Sequence, residues 1–195
     1  FHLGDGHYAV FEGDEYKALY DDPTPKFMQY KADILLLTNL EFDHPDIFSS
    51  LDEISSELAE LIHKMPDDGV VVYNADDIEL AKLAHGTNLG TVSFGLDNPA
   101  DFVASAITAQ PEHTEFTVQK KGDFPVENYR IKSFGRLNVY NALGPIALLR
   151  TLGFSPEQVQ SGLDEFNGLK RRFEFIGEAR GAKVFDDYAH HPTAI

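Results

Sequence analysis

The sequence predicts an α/β fold: a mostly parallel sheet flanked by helices, with an attached antiparallel β segment. Three observations carry this. Short apolar runs at Ile34–Leu37 and Val70–Tyr73 are bounded by polar or turn residues, as buried strands are, and Thr91–Phe94 reads as another strand. Helical spacing fills the intervals between them, with Leu51, Ile54, Leu58, Leu61 and Ile62 on one face. Residues 101–134 then hold three strand-like runs with no helix between them.

The elements follow in order. Tyr8–Phe11 is an apolar strand candidate that ends in Glu12-Gly13-Asp14-Glu15-Tyr16. Residues 17–33, with Pro23 and Pro25, read as irregular. Ser50-x-x-Glu53 is a capping box that opens the first helix. Pro66 and Gly69 close that region, and Asn74-Ala75-Asp76-Asp77 starts a helix running to about Leu83. Phe102–Thr108, Thr114–Gln119 and Tyr129–Phe134 form the antiparallel segment. A helix spans Asn138 to Leu152, with Gly153 just past its end. Pro145 should kink or interrupt it, because proline lacks the amide proton and crowds the preceding turn. Ser155-Pro156-Glu157-Gln158 caps the next helix, with Val159 and Leu163 facing the core. Lys183–Phe185 is a last strand, and a domain boundary is expected near residues 168–180, where Gly168, Gly177 and Gly181 break the pattern.

Composition excludes several function classes. With 43% hydrophobic residues, the 195-residue chain can bury a good core. It has no cysteine, so neither a disulfide framework nor a thiolate metal site can form. No apolar run approaches the roughly 20 residues of a bilayer span. The 32 acidic residues against 16 basic ones argue against general nucleic-acid binding, which needs a basic footprint. Nucleotides remain possible, since local groups hold them. The chain begins with Phe, and a cytoplasmic protein or a piece of one is expected.

The strand at 34–37 delivers Glu41, Asp43, His44 and Asp46 together at its carboxyl end. Ligands of α/β sheets sit at that end. Carboxylates and an imidazole this dense suit a divalent metal acting on a phosphate substrate. Glu12 and His44, from two strand ends, could share one Mg²⁺, which keeps most of its water and takes one or two protein ligands. Alternatively, Asp43 or Asp46 caps a following helix and His44 packs beside it.

Other groups carry two readings each. Lys170-Arg171-Arg172 is either a solvated cluster or a phosphate clamp, since Arg presents a planar fork to phosphate oxygens. Asn138 and Asn141 share a helix face and could read a purine edge. From spacing alone, however, Asn138 reads as an N-cap. Adjacent histidines on a strand face opposite ways, so His190-His191 fits a substrate or nucleotide contact better than zinc. No nucleophile elbow and no Gly-rich Lys-Ser/Thr phosphate loop occurs.

Taken in order, these blocks resemble the Mur ligase family of ATP-dependent amide-forming enzymes. Glu12-Gly13-Asp14-Glu15-Tyr16 is similar to the family's E-x-D-E-Y element, and Thr38 to His44 to its T-N-x-x-x-D-H element. Gly135 to Asn141 is similar to G-x-H-N-x-x-N-A, with Leu137 where the family has His. Arg171-Arg172-Phe173-Glu174 and Asp187 to Pro192 resemble two more elements, in the forms of the muramate-recognising branch.

The resemblance implies that Glu12 and His44 bind Mg²⁺, that Asn138 and Asn141 contact the adenine of ATP, and that Arg172, with Arg171 beside it, approaches the γ-phosphate. Asp187 and His190 would reach toward ribose and the reacting groups. The implied partners are UDP-N-acetylmuramate and an amino acid or peptide amine. The carbamoylated lysine of some relatives is not expected, because the helix after the Asp43-His44 pair has no Lys before Lys64. Residues 1–175 would be a central ATP-binding domain without its first strand and phosphate loop, and residues 176–195 the start of a C-terminal domain. The segment alone is therefore expected to be inactive and to bind ATP weakly. A folylpolyglutamate- or cyanophycin-type ligase, or an inactive binding domain of the same fold, are the alternatives.

Overall fold

The computed structural model describes residues 4–17, 19, 21, 22, 24–42, 47–123 and 125–189. Its main body is one six-stranded sheet in the order β1-β2-β3-β4-β5-β6. β1 (Ile34–Leu37), β2 (Val70–Asn74) and β3 (Gly90–Gly95) pair in parallel. β4 (Phe102–Ala109) meets β3 in parallel over two residue pairs only, Phe94↔Phe102 and Gly95↔Val103. A short loop suffices for so brief an overlap, and Asp101 pins it by accepting from the Ser93 amide (2.9 Å) and hydroxyl (2.7 Å). β5 (Thr114–Lys120) and β6 (Glu127–Ile131) then pair antiparallel, as expected for this region.

Alternation along β2 splits the interior in two. Val71 and Tyr73 pack with α1 (Leu51–Lys64) and α2 (Ile78–His85) on one face. Val72 packs with Phe94, α3 (Arg136–Thr151) and α4 (Pro156–Glu165) on the other. Successive strand residues point to opposite faces, so a run buried on both sides reads as continuously apolar. Gly144 lets α3 lie close to the sheet: a Cβ there would stand 3.1 Å from Phe94 Cζ and 3.2 Å from Leu36 Cδ1.

Helix starts obey their sequence signals with three revisions. At α4 both halves of the capping box form between Ser155 and Gln158. At α1 the Ser50 hydroxyl accepts from the Glu53 amide at 3.2 Å, but the Glu53 carboxylate turns back one residue further, to the Ser49 amide and hydroxyl. α2 begins at Ile78, with Asp77 as its cap, and residues 74–77 form the turn before it. Gly135, at φ +88°, stands at the N-cap of α3, so Asn138 is not the cap.

Two further expectations fail. Tyr8–Phe11 forms no strand, and Val10 is 95% exposed. A strand needs a partner ladder, and the described pairings give this run none. Pro145 does not interrupt α3, which runs through it as one helix. A proline removes a single backbone bond, and the buried Val139, Leu143, Ile146 and Ala147 hold both sides of it to the core.

β7 (Glu174–Ala179) and β8 (Ala182–Asp186) form a separate two-stranded antiparallel sheet. The division expected between residues 175 and 176 falls inside β7. Among the described residues, no helix is long and apolar enough to cross a membrane.

Candidate functional site

The parallel strands β1 to β3 end on a common rim; the segment after β1 leaves from it, and the start of α3 is tied to it through Tyr140 and Asp76. Residues 38–42, beyond β1, have no regular secondary structure. Side chains from the β2–α2 turn hold them. Asn74 Nδ2 donates to the Thr38 carbonyl at 3.0 Å, and the Leu40 amide donates to Asp77 Oδ2 at 2.7 Å. Asp77 uses its other oxygen to cap α2, accepting from the Glu79 and Leu80 amides at 3.0 and 3.1 Å. Leu40 itself is buried in the cluster that holds Leu37 and Phe27.

Glu12 lies in an exposed, irregular segment. That segment is tethered to the 3₁₀ turn Lys26–Gln29. The Asp14 carboxylate pairs with Lys26, the Phe27 amide donates to the Asp14 carbonyl at 3.2 Å, and Phe11 stacks on Tyr30 at 5.2 Å. Phe27 is buried in the same apolar cluster as Leu37 and Leu40. The structure thus attaches the Glu12 segment and the 38–42 segment to one cluster. His44 lies outside the described residues, as do Asp43 and Asp46. Among the described residues, no group of three or more acids and histidines is placed to enclose a metal ion.

On the next part of the rim, Asp76 gathers an unusual number of donors. Its carboxylate accepts from the Leu96 amide (2.6 Å), the Asp97 amide (3.1 Å), the Asn98 amide (2.6 Å) and the Tyr140 hydroxyl (2.6 Å). Burial alone would raise its carboxyl, but the Tyr140 hydroxyl and the three amides outweigh that and hold it below the usual carboxylate range. The same contact acts in reverse on Tyr140. Burial first, then the Asp76 carboxylate, push its phenol up to about 12. Tyr140 sits on α3 between Asn138 and Asn141, so Asp76 ties the base of that helix to the loop after β3.

A pH dependence follows. A phenol with a folded-state value near 12 and an ordinary value near 10 is protonated more in the folded state across that interval. The stability it contributes is complete below pH 10 and drains away as pH rises toward 12. Denaturant melts of Tyr140→Phe should therefore fall less steeply over that interval than those of the unsubstituted protein; parallel curves would contradict the assignment.

The predicted adenine residues are on one face at the start of α3. Asn138 is half-buried, and its Nδ2 donates to the Phe134 carbonyl at 2.7 Å. Asn141 is exposed.

The two C-terminal motif blocks meet across the β7–β8 hairpin. The Tyr188 amide donates to the Arg171 carbonyl at 2.8 Å, and the Arg171 guanidinium lies 4.5 Å from the Tyr188 ring centroid. Asp187 accepts from the Phe173 amide at 3.1 Å and the Ala189 amide at 2.8 Å. Arg172 lies farther from the same ring, at 5.9 Å. Arg171 and Phe173 take positive φ values of 58° and 52°, a left-handed bend that these cross-block bonds sustain. Arg171, Arg172 and Asp187 are therefore neighbours, whereas His190 falls outside the described residues.

Sequence reasoning missed Asn74, Asp76, Asp77 and Tyr140 as parts of this rim. The two acids directly after a buried strand were the available signal, but they read first as a helix start.

A family model described as the Mur ligase middle domain matches residues 3–149. The chain belongs to the Mur ligase family. This Mur ligase chain is 36% identical, over 98% of its length, to the UDP-N-acetylmuramate--L-alanine ligase of Desulfitobacterium hafniense (strain Y51), and covers 40% of that protein. It is 34% identical, over its full length, to the UDP-N-acetylmuramate--L-alanyl-gamma-D-glutamyl-meso-2,6-diaminoheptandioate ligase of Escherichia coli (strain K12), and covers 42% of it. The crystal structure of a murein peptide ligase from Psychrobacter arcticus 273-4 matches with a TM-score of 0.70 at 33% identity, over 93% of this chain and 37% of that one. The chain thus spans about 40% of the length of the curated relatives it matches.

Proposed function

We propose that this Mur ligase chain is the nucleotide-binding part of an ATP-dependent, ADP-forming ligase that joins an amino acid or peptide to UDP-N-acetylmuramate. The observation that carries the reading is the strand-end rim, where the 38–42 segment, the 74–77 turn and the start of α3 converge. Glu12 and His44 would hold Mg²⁺, which when bound would neutralise charge on the phosphates. Asn138 and Asn141 would recognise adenine through their amides, the first already fixed by its bond to Phe134. Arg172, with Arg171, would stabilise the negative charge that develops at the γ-phosphoryl group. Asp187 and His190 would approach the ribose and the reacting groups. We assign the β7–β8 hairpin, which forms its own sheet, to the start of the next domain.

The chemistry conserves atoms simply. The muramoyl carboxylate takes the γ-phosphoryl group and ADP leaves. The amine then attacks the acyl carbon, loses a proton, and inorganic phosphate departs as the amide forms. Two amines have support. The stretch Asn39–Phe48 resembles murein peptide ligases, which favours a peptide. The relative at 36% identity is an L-alanine ligase, which favours the amino acid.

The test uses the full-length protein with ATP, Mg²⁺ and UDP-N-acetylmuramate, offered either L-alanine or L-alanyl-γ-D-glutamyl-meso-diaminopimelate. One amine should give ADP and a product of the condensed mass. No ADP release with either would overturn the proposal.

A further inference from the structure

The start of α3 carries both candidate adenine residues, yet much of what holds it lies outside the helix. Its N-cap, Gly135, offers no side-chain cap, and Arg136 and Leu137 are exposed. Val139 is the first residue of the helix to reach the core. Asn138 and Asn141 flank Tyr140, whose hydroxyl donates to Asp76 Oδ2 at 2.6 Å. Asp76 belongs to the turn after β2, and the same carboxylate takes the amides of Leu96, Asp97 and Asn98. Asp97 returns to the helix: its carboxylate pairs with Arg136 at 2.5 Å, and the Arg136 guanidinium lies 5.7 Å from the Tyr140 ring centroid. Gly95 makes room for this arrangement, since a Cβ there would stand 3.0 Å from Asp76 Oδ2. One carboxylate at the strand ends thus fixes both the loop 96–98 and the helix turn on which Asn138 and Asn141 stand.

We infer that Asp76, acting through Tyr140, is a positioning residue for recognition of the adenine base. The inference rests on the functional reading above, in which Asn138 and Asn141 contact adenine. Two carboxamides distinguish an adenine edge from a guanine edge only while their spacing and direction are fixed. Losing a hydrogen bond to a charged group shifts an equilibrium by about 10-fold or more. The loss should fall on the base and spare the phosphates, because the groups proposed to hold the phosphates stand on other segments.

Two substitutions isolate the tie. Tyr140→Phe removes the hydroxyl and nothing else. Asp76→Asn keeps one acceptor oxygen but turns an NH₂ toward donors that need a carboxylate. Both are to be made in the full-length protein, with the double variant Asn138→Ala, Asn141→Ala as the reference for lost base contact. Calorimetry with ADP, GDP and tripolyphosphate reads them. Tyr140→Phe and Asp76→Asn should each bind ADP about 10-fold more weakly, lose preference for ADP over GDP by a similar factor, and bind tripolyphosphate unchanged. Hydrogen exchange should speed up at residues 139–141 while 142–151 stay protected. Should Asp76→Asn fail to fold, Tyr140→Phe decides the matter. An unchanged ADP-to-GDP ratio in Tyr140→Phe would overturn the inference alone. So would an equal loss of ADP and tripolyphosphate binding, which marks a general loosening. If the unsubstituted protein shows no preference for ADP over GDP, or the double variant keeps that preference, the adenine reading of α3 falls and takes this inference with it.

Discussion

In the full-length protein, Glu12→Gln should lower amide-forming turnover by about 100-fold or more, the scale seen when one group that stabilises transition-state charge is removed. Glu12 is exposed and sits outside regular structure, so its loss should leave the folded state nearly untouched. Surface changes of this kind usually fall within about 0.5 kcal/mol. Glutamine keeps the shape and one oxygen while removing the charge that attracts a hydrated cation. The defect should therefore appear together with a raised Mg²⁺ requirement, and added Mg²⁺ should recover part of it. Initial rates measured across a Mg²⁺ series would show this. Equal turnover and an equal Mg²⁺ midpoint would remove Glu12 from the site.

Phe94→Ala is the complementary case, with a large effect on stability. Phe94 is fully buried and central to the cluster between the sheet and α3. Truncating a buried Phe costs about 3–5 kcal/mol, from lost transfer energy plus the cavity left behind. Collapse cannot heal this cavity easily. The ring fills the space beside Gly144, which has no side chain to move in, and Leu36 already packs there. A loss this size is a large part of the roughly 5–15 kcal/mol that holds a typical domain together. Thermal melting of the full-length variant should register it, with hydrogen exchange in β3 and α3 rising first. A cost below about 1.5 kcal/mol would mean that α3 settles onto the sheet.

Much of the fold was legible because burial imposes period and sign. The runs at 34–37 and 70–73 are apolar at every position because both faces are covered; 91–94 alternates Thr91 and Ser93 with Val92 and Phe94; and all three became strands. The Ser155 cap was readable because a hydroxyl at that spacing has a single good use. Tyr8–Phe11 misled because an apolar run records only a preference for burial, whereas a strand also needs an edge to pair with. Asn138 misled because Gly135 supplies by its positive φ the entry that a capping side chain would otherwise make. The site was legible only where motifs carried it. The ties of Asn74, Asp76 and Asp77 join residues 20 to 64 positions apart, which no local spacing reports.

The sheet has an entropically cheap end and an expensive one. β4 and β5 pair across a tight reversal, with Ala109 opposite Thr114, and β6 pairs with β5 across a short span of sequence, so little chain freedom is lost in closing them. β1 pairs only with β2 among the described strands, across the whole of α1, and contributes just four residues. The segment from Thr38 to Phe42 therefore hangs from the part of the sheet that costs most to close. Local opening there can release that segment while the antiparallel end stays intact. Ligand bound across this rim would be drawn into holding the fold together, so occupancy and order at β1 should rise and fall as one.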